Sequence, residues 1–108
     1  RSILRETRFV EIGPVTLFSR EAAAVLMPFP PLRYGWGLDL AWAATALERG
    51  WRLGIADALA VRHEAATVAT AYSPEAAIEE AREFLSTRPY LSSAAAQETL
   101  VTHRRLPA

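Results

Sequence analysis

Over residues 8–20, RFVEIGPVTLFSR, apolar residues recur at every second position: Val10 and Ile12 flank Glu11, and Val15 and Leu17 flank Thr16. That period puts alternate side chains on opposite faces of an extended chain and predicts strand structure. Gly13-Pro14 interrupts it, so a bend, a bulge or two short strands are expected there. The period then changes. Ser19 can cap a helix with its hydroxyl, and REAAAVLM (20–27) is rich in good helix formers. Pro28, Pro30 and Pro31 end that helix, because proline lacks the N–H and biases its predecessor away from helical angles. A loop over 28–37 follows.

LDLAWAATALERG predicts a second helix over about 39–49, with Leu40, Ala43, Ala44 and Leu47 on its apolar face. Gly50 stands where a left-handed cap closes such a helix. WRLGIADALAVRHE (51–64) returns to period two and predicts one or two strands that break near Asp57-Ala58. Leu59, Val61 and His63 share one face, and Ala60, Arg62 and Glu64 the other. Ser73-Pro74-Glu75 is a helix start, with Ser as cap and Pro in the first turn. Ile78, Ala81 and Leu85 form the expected inner stripe, and Arg88-Pro89 the stop. SSAAAQETLVTHRRL (92–106) predicts a final helix anchored by Leu100 and Val101. The order gives a mixed α/β fold (α and β) of one structural unit, in which a helical extension, 73–108, packs on the region 1–72.

Composition changes this picture little. The chain of 108 residues suits one domain, and 51% hydrophobic residues allow a core. Twelve basic residues balance twelve acidic ones, which argues against nucleic acid or an anionic membrane as a partner held by net charge. The one local basic run, His103-Arg104-Arg105, reads as a cationic helix end. With no cysteine, disulfides and thiolate metal sites are excluded, and a reducing, cytoplasmic location is expected. The longest apolar run, AAAVLMPFPPL, is broken by prolines and too short for a membrane span. The chain begins with Arg1 and is read as part of a longer protein.

The candidate chemistry centres on RYGWGLD (33–39). Asp39 is one of only two aspartates. At a helix start a carboxylate is favoured by the helix dipole, which accounts for it without any function. The functional alternative is a general base, since Gly35 and Gly37 would let a ligand approach closely. Trp36 between them offers a flat apolar face with one N–H donor, suited to a sugar ring or to the core beneath a loop. His63 closes a strand and could be a metal ligand, a proton carrier or a structural residue. His103 is expected on the surface. Glu75, Glu79, Glu80, Arg82 and Glu83 read as a solvated helix face. No nucleophile elbow and no phosphate-binding glycine loop is present.

In order, VEIGPVTLFSREA, FPPLRYGWGLD and LERGWRLGIADALAVRHE resemble the C-terminal half of a GT-A-type glycosyltransferase domain of the family 2 kind. There, an extended segment and a short helix lead to a Gly-Glu-Asp-type motif. A helix follows that closes on glycine and an aromatic residue, then a strand ending in Val-x-His. The spacing of Asp39 to Gly50 matches, and the resemblance covers about the first two-thirds of the chain. It implies that Asp39 is the catalytic base, that Trp36, with Gly35 and Gly37, lines the acceptor side, and that His63 helps bind a divalent metal, Mn or Mg. The partners it implies are a nucleotide-sugar donor and a hydroxyl acceptor. Two acids of the pattern are missing, because Leu38 and Ala41 stand in their places. With aspartates only at 39 and 57, the metal-binding Asp-x-Asp of the donor half is absent too. The alternative is a non-catalytic binding or oligomerisation module. Strands with open edges predict a homo-oligomer, a homodimer or a domain-swapped form.

Overall fold

Three short strands and four helices are formed by residues 1–62 and 73–105, the part of the chain that the computed structural model describes. The strands β1 (Leu4–Thr7), β2 (Leu53–Ile55) and β3 (Thr99–His103) make an antiparallel sheet in the order β2-β1-β3. Glu6 lies opposite both Gly54 and Val101, and the β1–β3 register slips between Glu6 and Thr7. Charged side chains lace the three strands together. One oxygen of Glu6 accepts from Arg52 Nε at 2.7 Å, and the other lies 2.8 Å from His103 Nε2. On the next residue, Arg5 donates two hydrogen bonds to Asp57, at 2.8 and 3.0 Å, and Ser2 Oγ donates a third at 2.7 Å.

The sheet differs from the sequence expectation in three places. Residues 8–19 form no strand, although a bend does occur at Pro14. Alternation is necessary for a strand but does not supply a partner, and both edges of β1 are taken by β2 and β3. Leu17 is left 91% exposed. In the described part of 51–64, residues 51–62, strand structure is confined to β2. Beyond it the Asp57 N–H turns back to the Ile55 carbonyl at 3.1 Å, and the Ala58 N–H reaches Ile3 at 3.1 Å. The helix expected over 92–106 is a single turn, Ser93–Ala96, followed by β3. Thr99, Val101 and Thr102 are β-branched, and pairing with β1 satisfies their backbone, which overrides the helical propensity of the alanines before them. Leu100 and Val101 are exposed rather than anchoring. The tail is thus a helix, one helical turn and a strand, not two helices, and its strand returns to the other end of the chain.

The helices follow their local signals more closely. Helix α1 (Arg20–Leu26) is capped by Ser19, whose Oγ accepts from the Ala22 N–H at 3.1 Å. Helix α2 (Leu38–Arg49) ends at Gly50, with φ of +69°. The Trp51 N–H then reaches back to the Ala46 carbonyl at 2.9 Å, and the Gly50 N–H to Leu47 at 3.4 Å, a Schellman closure. Helix α3 (Pro74–Ser86) starts beside Ser73, whose hydroxyl bonds Glu75 at 2.9 Å rather than capping a backbone N–H. The short helix Ser93–Ala96 is α4.

Both long helices are rotated from the expected faces. The buried side of α2 is Leu38, Trp42, Ala43 and Ala46, while Leu47 is 57% exposed. Trp42 has the most apolar surface to hide and turns the helix toward itself. On α3, Ala77 and Phe84 are buried and Ile78 is exposed. Leu38, Trp42 and Phe84 form the core cluster, with Phe18, Leu26, Leu32, Ala41 and Leu85 packed on it. Phe18 meets Trp42 edge-on, centroids 5.2 Å apart at 85°, and Phe29 lies 5.3 Å from the same ring. No helix among the described residues is long and apolar enough to cross a membrane.

Hydrogen bonds from Arg52 and His103 outweigh partial desolvation and hold the Glu6 carboxyl down to about 2, from an ordinary value of 4.5. Because the folded value is the lower one, this contribution to stability is complete above about pH 4.5 and is lost as pH falls toward 2. Glu6→Gln is therefore expected to lower stability at neutral pH and to flatten its decline between pH 4.5 and 2. Urea unfolding at a series of pH values measures this, and an unchanged acid slope in the variant would exclude Glu6 as a source of it.

Candidate functional site

The turn that carries Trp36 is built from two left-handed glycines, Gly35 at φ +80° and Gly37 at φ +86°. A side chain in this region of backbone space is strained, so glycine is required at both positions. They differ in surroundings. Nothing lies within 4 Å of where a Cβ at Gly35 would sit. At Gly37 a Cβ would come 3.1 Å from Leu85 Cδ1 and 3.5 Å from Ala81 Cβ, both on α3. The space left by Gly37 is filled by the protein's own helix packing. Gly37 also caps α2, and its carbonyl accepts from the Ala41 N–H at 3.2 Å.

Asp39 is the second residue of α2 and is half-buried. Its Oδ2 accepts the backbone N–H of Ile12 at 3.1 Å, tying the helix start to the irregular segment 8–19. Leu38 and Ala41, the two positions where the family pattern has acids, face the other way. Leu38 is a core residue, 7% exposed, and Ala41 packs against the same cluster. A carboxylate at 38 would be desolvated against Trp42 and Phe84, at a cost of several kcal/mol if it stayed charged. Of these three positions, Asp39 alone points away from the core cluster. Trp36 is half-buried between the two glycines.

The motif that closes α2 is structural in every residue the structure describes. Gly50 ends the helix, the Trp51 indole lies 3.4 Å from Glu21 on α1, and Arg52 pairs with Glu6. His63 lies outside the described residues. Among those described, no three His, Asp or Glu side chains converge as a metal-ligand group. His103, expected on a helical surface, is instead a strand residue paired with Glu6. Among the described residues, surface clefts of about 340, 310 and 460 Å³ are lined by residues other than Trp36, Gly35, Gly37 and Asp39.

Glu80 was expected on a freely solvated helix face, but it is half-buried and engaged by backbone N–H groups. Its Oε2 accepts the Arg33 N–H at 2.7 Å, and its Oε1 accepts the N–H groups of Tyr34 and Gly35 at 2.9 and 3.1 Å. Desolvation raises the carboxyl's affinity for a proton, but the three N–H donors, helped by the Arg33 charge, outweigh it and lower its pKa. A signal for this was present in the spacing. Glu80 stands three residues after Ala77 and four before Phe84, on the buried face of α3, where a carboxylate needs donors. The stripe expected at Ile78, Ala81 and Leu85 is shifted back by one position, to Ala77 and Phe84, and that rotation turns Glu80 inward against the 33–35 backbone. Comparison of this chain with protein families, with characterised proteins and with solved structures found no match.

Proposed function

We propose that residues 9–64 are the acceptor side of a GT-A-type glycosyltransferase whose donor-binding half lies outside this chain. The observation that supports this reading is the placement of Asp39. It occupies the first turn of α2, directly after a glycine turn with an aromatic residue, and its carboxylate is steadied by the Ile12 N–H. In the proposed reaction Asp39 takes the proton of an acceptor hydroxyl. The hydroxyl oxygen bonds to the anomeric carbon of the donor sugar as the bond from that carbon to the nucleoside diphosphate breaks. Trp36 offers a ring face to the acceptor, and the donor half completes the cleft around it. A divalent metal, Mn or Mg, would arrive with the diphosphate and neutralise the leaving group, and His63 is the residue of this chain assigned to it. The test is sugar transfer by a donor-competent protein that contains these residues, with and without Asp39→Asn. An undiminished rate in the variant would retire the assignment.

A specific observation favours a second reading, a binding or oligomerisation module. Leu17 and Leu59 are 91% and 73% exposed, and with Val15 and Val61 they line the 460 Å³ cleft beside β2. Among the described residues β2 and β3 each pair on one edge only. Exposed apolar side chains next to an open strand edge favour association. This reading predicts a homodimer in solution, and light scattering that detects monomer alone at high concentration would set it aside.

A further inference from the structure

We propose that Glu80 is a positioning residue for the 33–39 turn: by accepting three consecutive backbone N–H groups it fixes the conformation that presents Trp36 and Asp39. The hydrogen bonds run in one continuous path. Glu80 holds the N–H groups of Arg33, Tyr34 and Gly35. The Gly35 carbonyl accepts the Leu38 N–H at 3.3 Å, and Leu38 precedes Asp39. One carboxylate therefore sets the three peptide planes that lead into Gly35, and the Leu38–Gly35 bond carries that order across to Gly37. The last of them, the 34–35 plane, adjoins Gly35 and has the most freedom to rotate, since glycine visits either sign of φ.

Helix α3 makes the clamp rigid. Leu85 and Ala81 fill the space beside Gly37, and Phe84 packs on Leu38 and Trp42, one turn further on. The Leu91 N–H, just beyond this helix, donates to the Leu40 carbonyl of α2 at 3.1 Å. The turn thus cannot drift from Glu80 without the two helices separating. Tyr34 and Gly35 are half-buried. Loss of the carboxylate would leave their N–H groups poorly satisfied and would favour another arrangement of the turn. The charged and titratable groups facing Glu80 from the loop are Arg33 and Tyr34. On its own helix Glu79 is engaged by Arg82 at 2.6 Å, and Glu83 is exposed.

A merely structural staple would lower global stability and move all amides alike. A positioning residue moves a defined set. The test is nitrogen-15 NMR of the full chain, following the amides of residues 33–35 and the Ile12 amide, which reports on Asp39. In the wild-type chain the three loop amides are expected to titrate together, with one midpoint below the ordinary glutamate value of 4.5. In Glu80→Gln that titration disappears. At neutral pH the hydrogen exchange of the three amides rises by roughly tenfold or more, and the Ile12 amide shifts with them while the β1 amides do not. Loop amides indifferent to the charge at 80, or an Ile12 amide that stays in place when they move, would overturn the proposal. Should Glu80→Gln fail to fold, the wild-type titration still decides the clamp.

The clamp stands on these hydrogen bonds alone, and only its bearing on sugar transfer rests on Asp39 being the base. In a donor-competent protein Glu80→Gln is expected to lower kcat more than it raises the KM for donor. Full activity in Asp39→Asn would remove Asp39 as the base and leave the amide result intact. An inactive Asp39→Asn with unmoved loop amides in Glu80→Gln would remove the positioning role alone.

Discussion

Asp39→Asn is expected to slow sugar transfer by roughly 10²–10⁴-fold in a donor-competent protein, the usual contribution of a general base. At 1.36 kcal/mol per decade this is about 3–5 kcal/mol of transition-state stabilisation. Asparagine has nearly the same shape, and its carbonyl oxygen can accept the Ile12 N–H now held by Oδ2. The turn should therefore keep its conformation, and the loss should fall on kcat rather than on donor binding. Initial rates at saturating donor, with donor affinity measured separately, distinguish the two. A variant that lost donor affinity instead would point to Asp39 as a binding residue. Leu38 and Ala41 provide an internal comparison. Because they face the core, Leu38→Glu is not a restoration of the family pattern and is expected to destabilise the chain without raising the rate.

Trp42→Ala carries the largest expected effect on folding, a loss of about 3–5 kcal/mol. Domains of ordinary stability unfold with about 5–15 kcal/mol, so this substitution removes a large share of the total. The reason lies in how few side chains the core contains. Among the described residues, Leu38, Trp42, Ala43, Ala46, Ala77 and Phe84 are the buried hydrophobics, and only Trp42, Phe84 and Leu38 are large. Trp42 touches Phe18 and Phe29 as well. It also borders the clefts of about 340 and 310 Å³, so its neighbours have room to close over the vacancy. That relaxation pushes the loss toward the lower end of the range. Urea unfolding followed by far-ultraviolet circular dichroism measures it. Trp42→Phe should lose less, because a ring remains to meet Phe18. A loss below about 1 kcal/mol in Trp42→Ala would mean that the cluster is not the core of the fold.

The parts of the fold that could be read in advance are those whose physics is local. Ser19 caps α1 through a bond to Ala22, three residues on, and Gly50 closes α2 through carbonyls three to five residues back. Such signals lie within one helical turn and survive in any tertiary setting. Of the strands, β2 lies in a stretch whose alternation predicts one, 51–64, but β1 and β3 were not legible in this way. Residues 8–19 have the alternation without a partner, whereas β1 and β3, with little alternation to mark them, pair with each other. Glu6 meets Arg52 and His103 across 46 and 97 residues, and no pattern of short range reports such a contact.

The candidate site divides along the same line. That Asp39 belongs to the first turn of a helix, behind a glycine-tryptophan-glycine turn, follows from the sequence, because proline, glycine and helix propensity act on neighbouring residues. Which way that helix faces does not. Trp42 and Phe84 had to meet before α2 took the rotation that buries Leu38 and turns Asp39 away from the core. The same packing brings Glu80 to the Arg33–Gly35 amides and Leu85 to Gly37. A sequence specifies where a helix starts and stops within a few residues, but burial of its largest side chains, decided against distant elements, sets the face it presents.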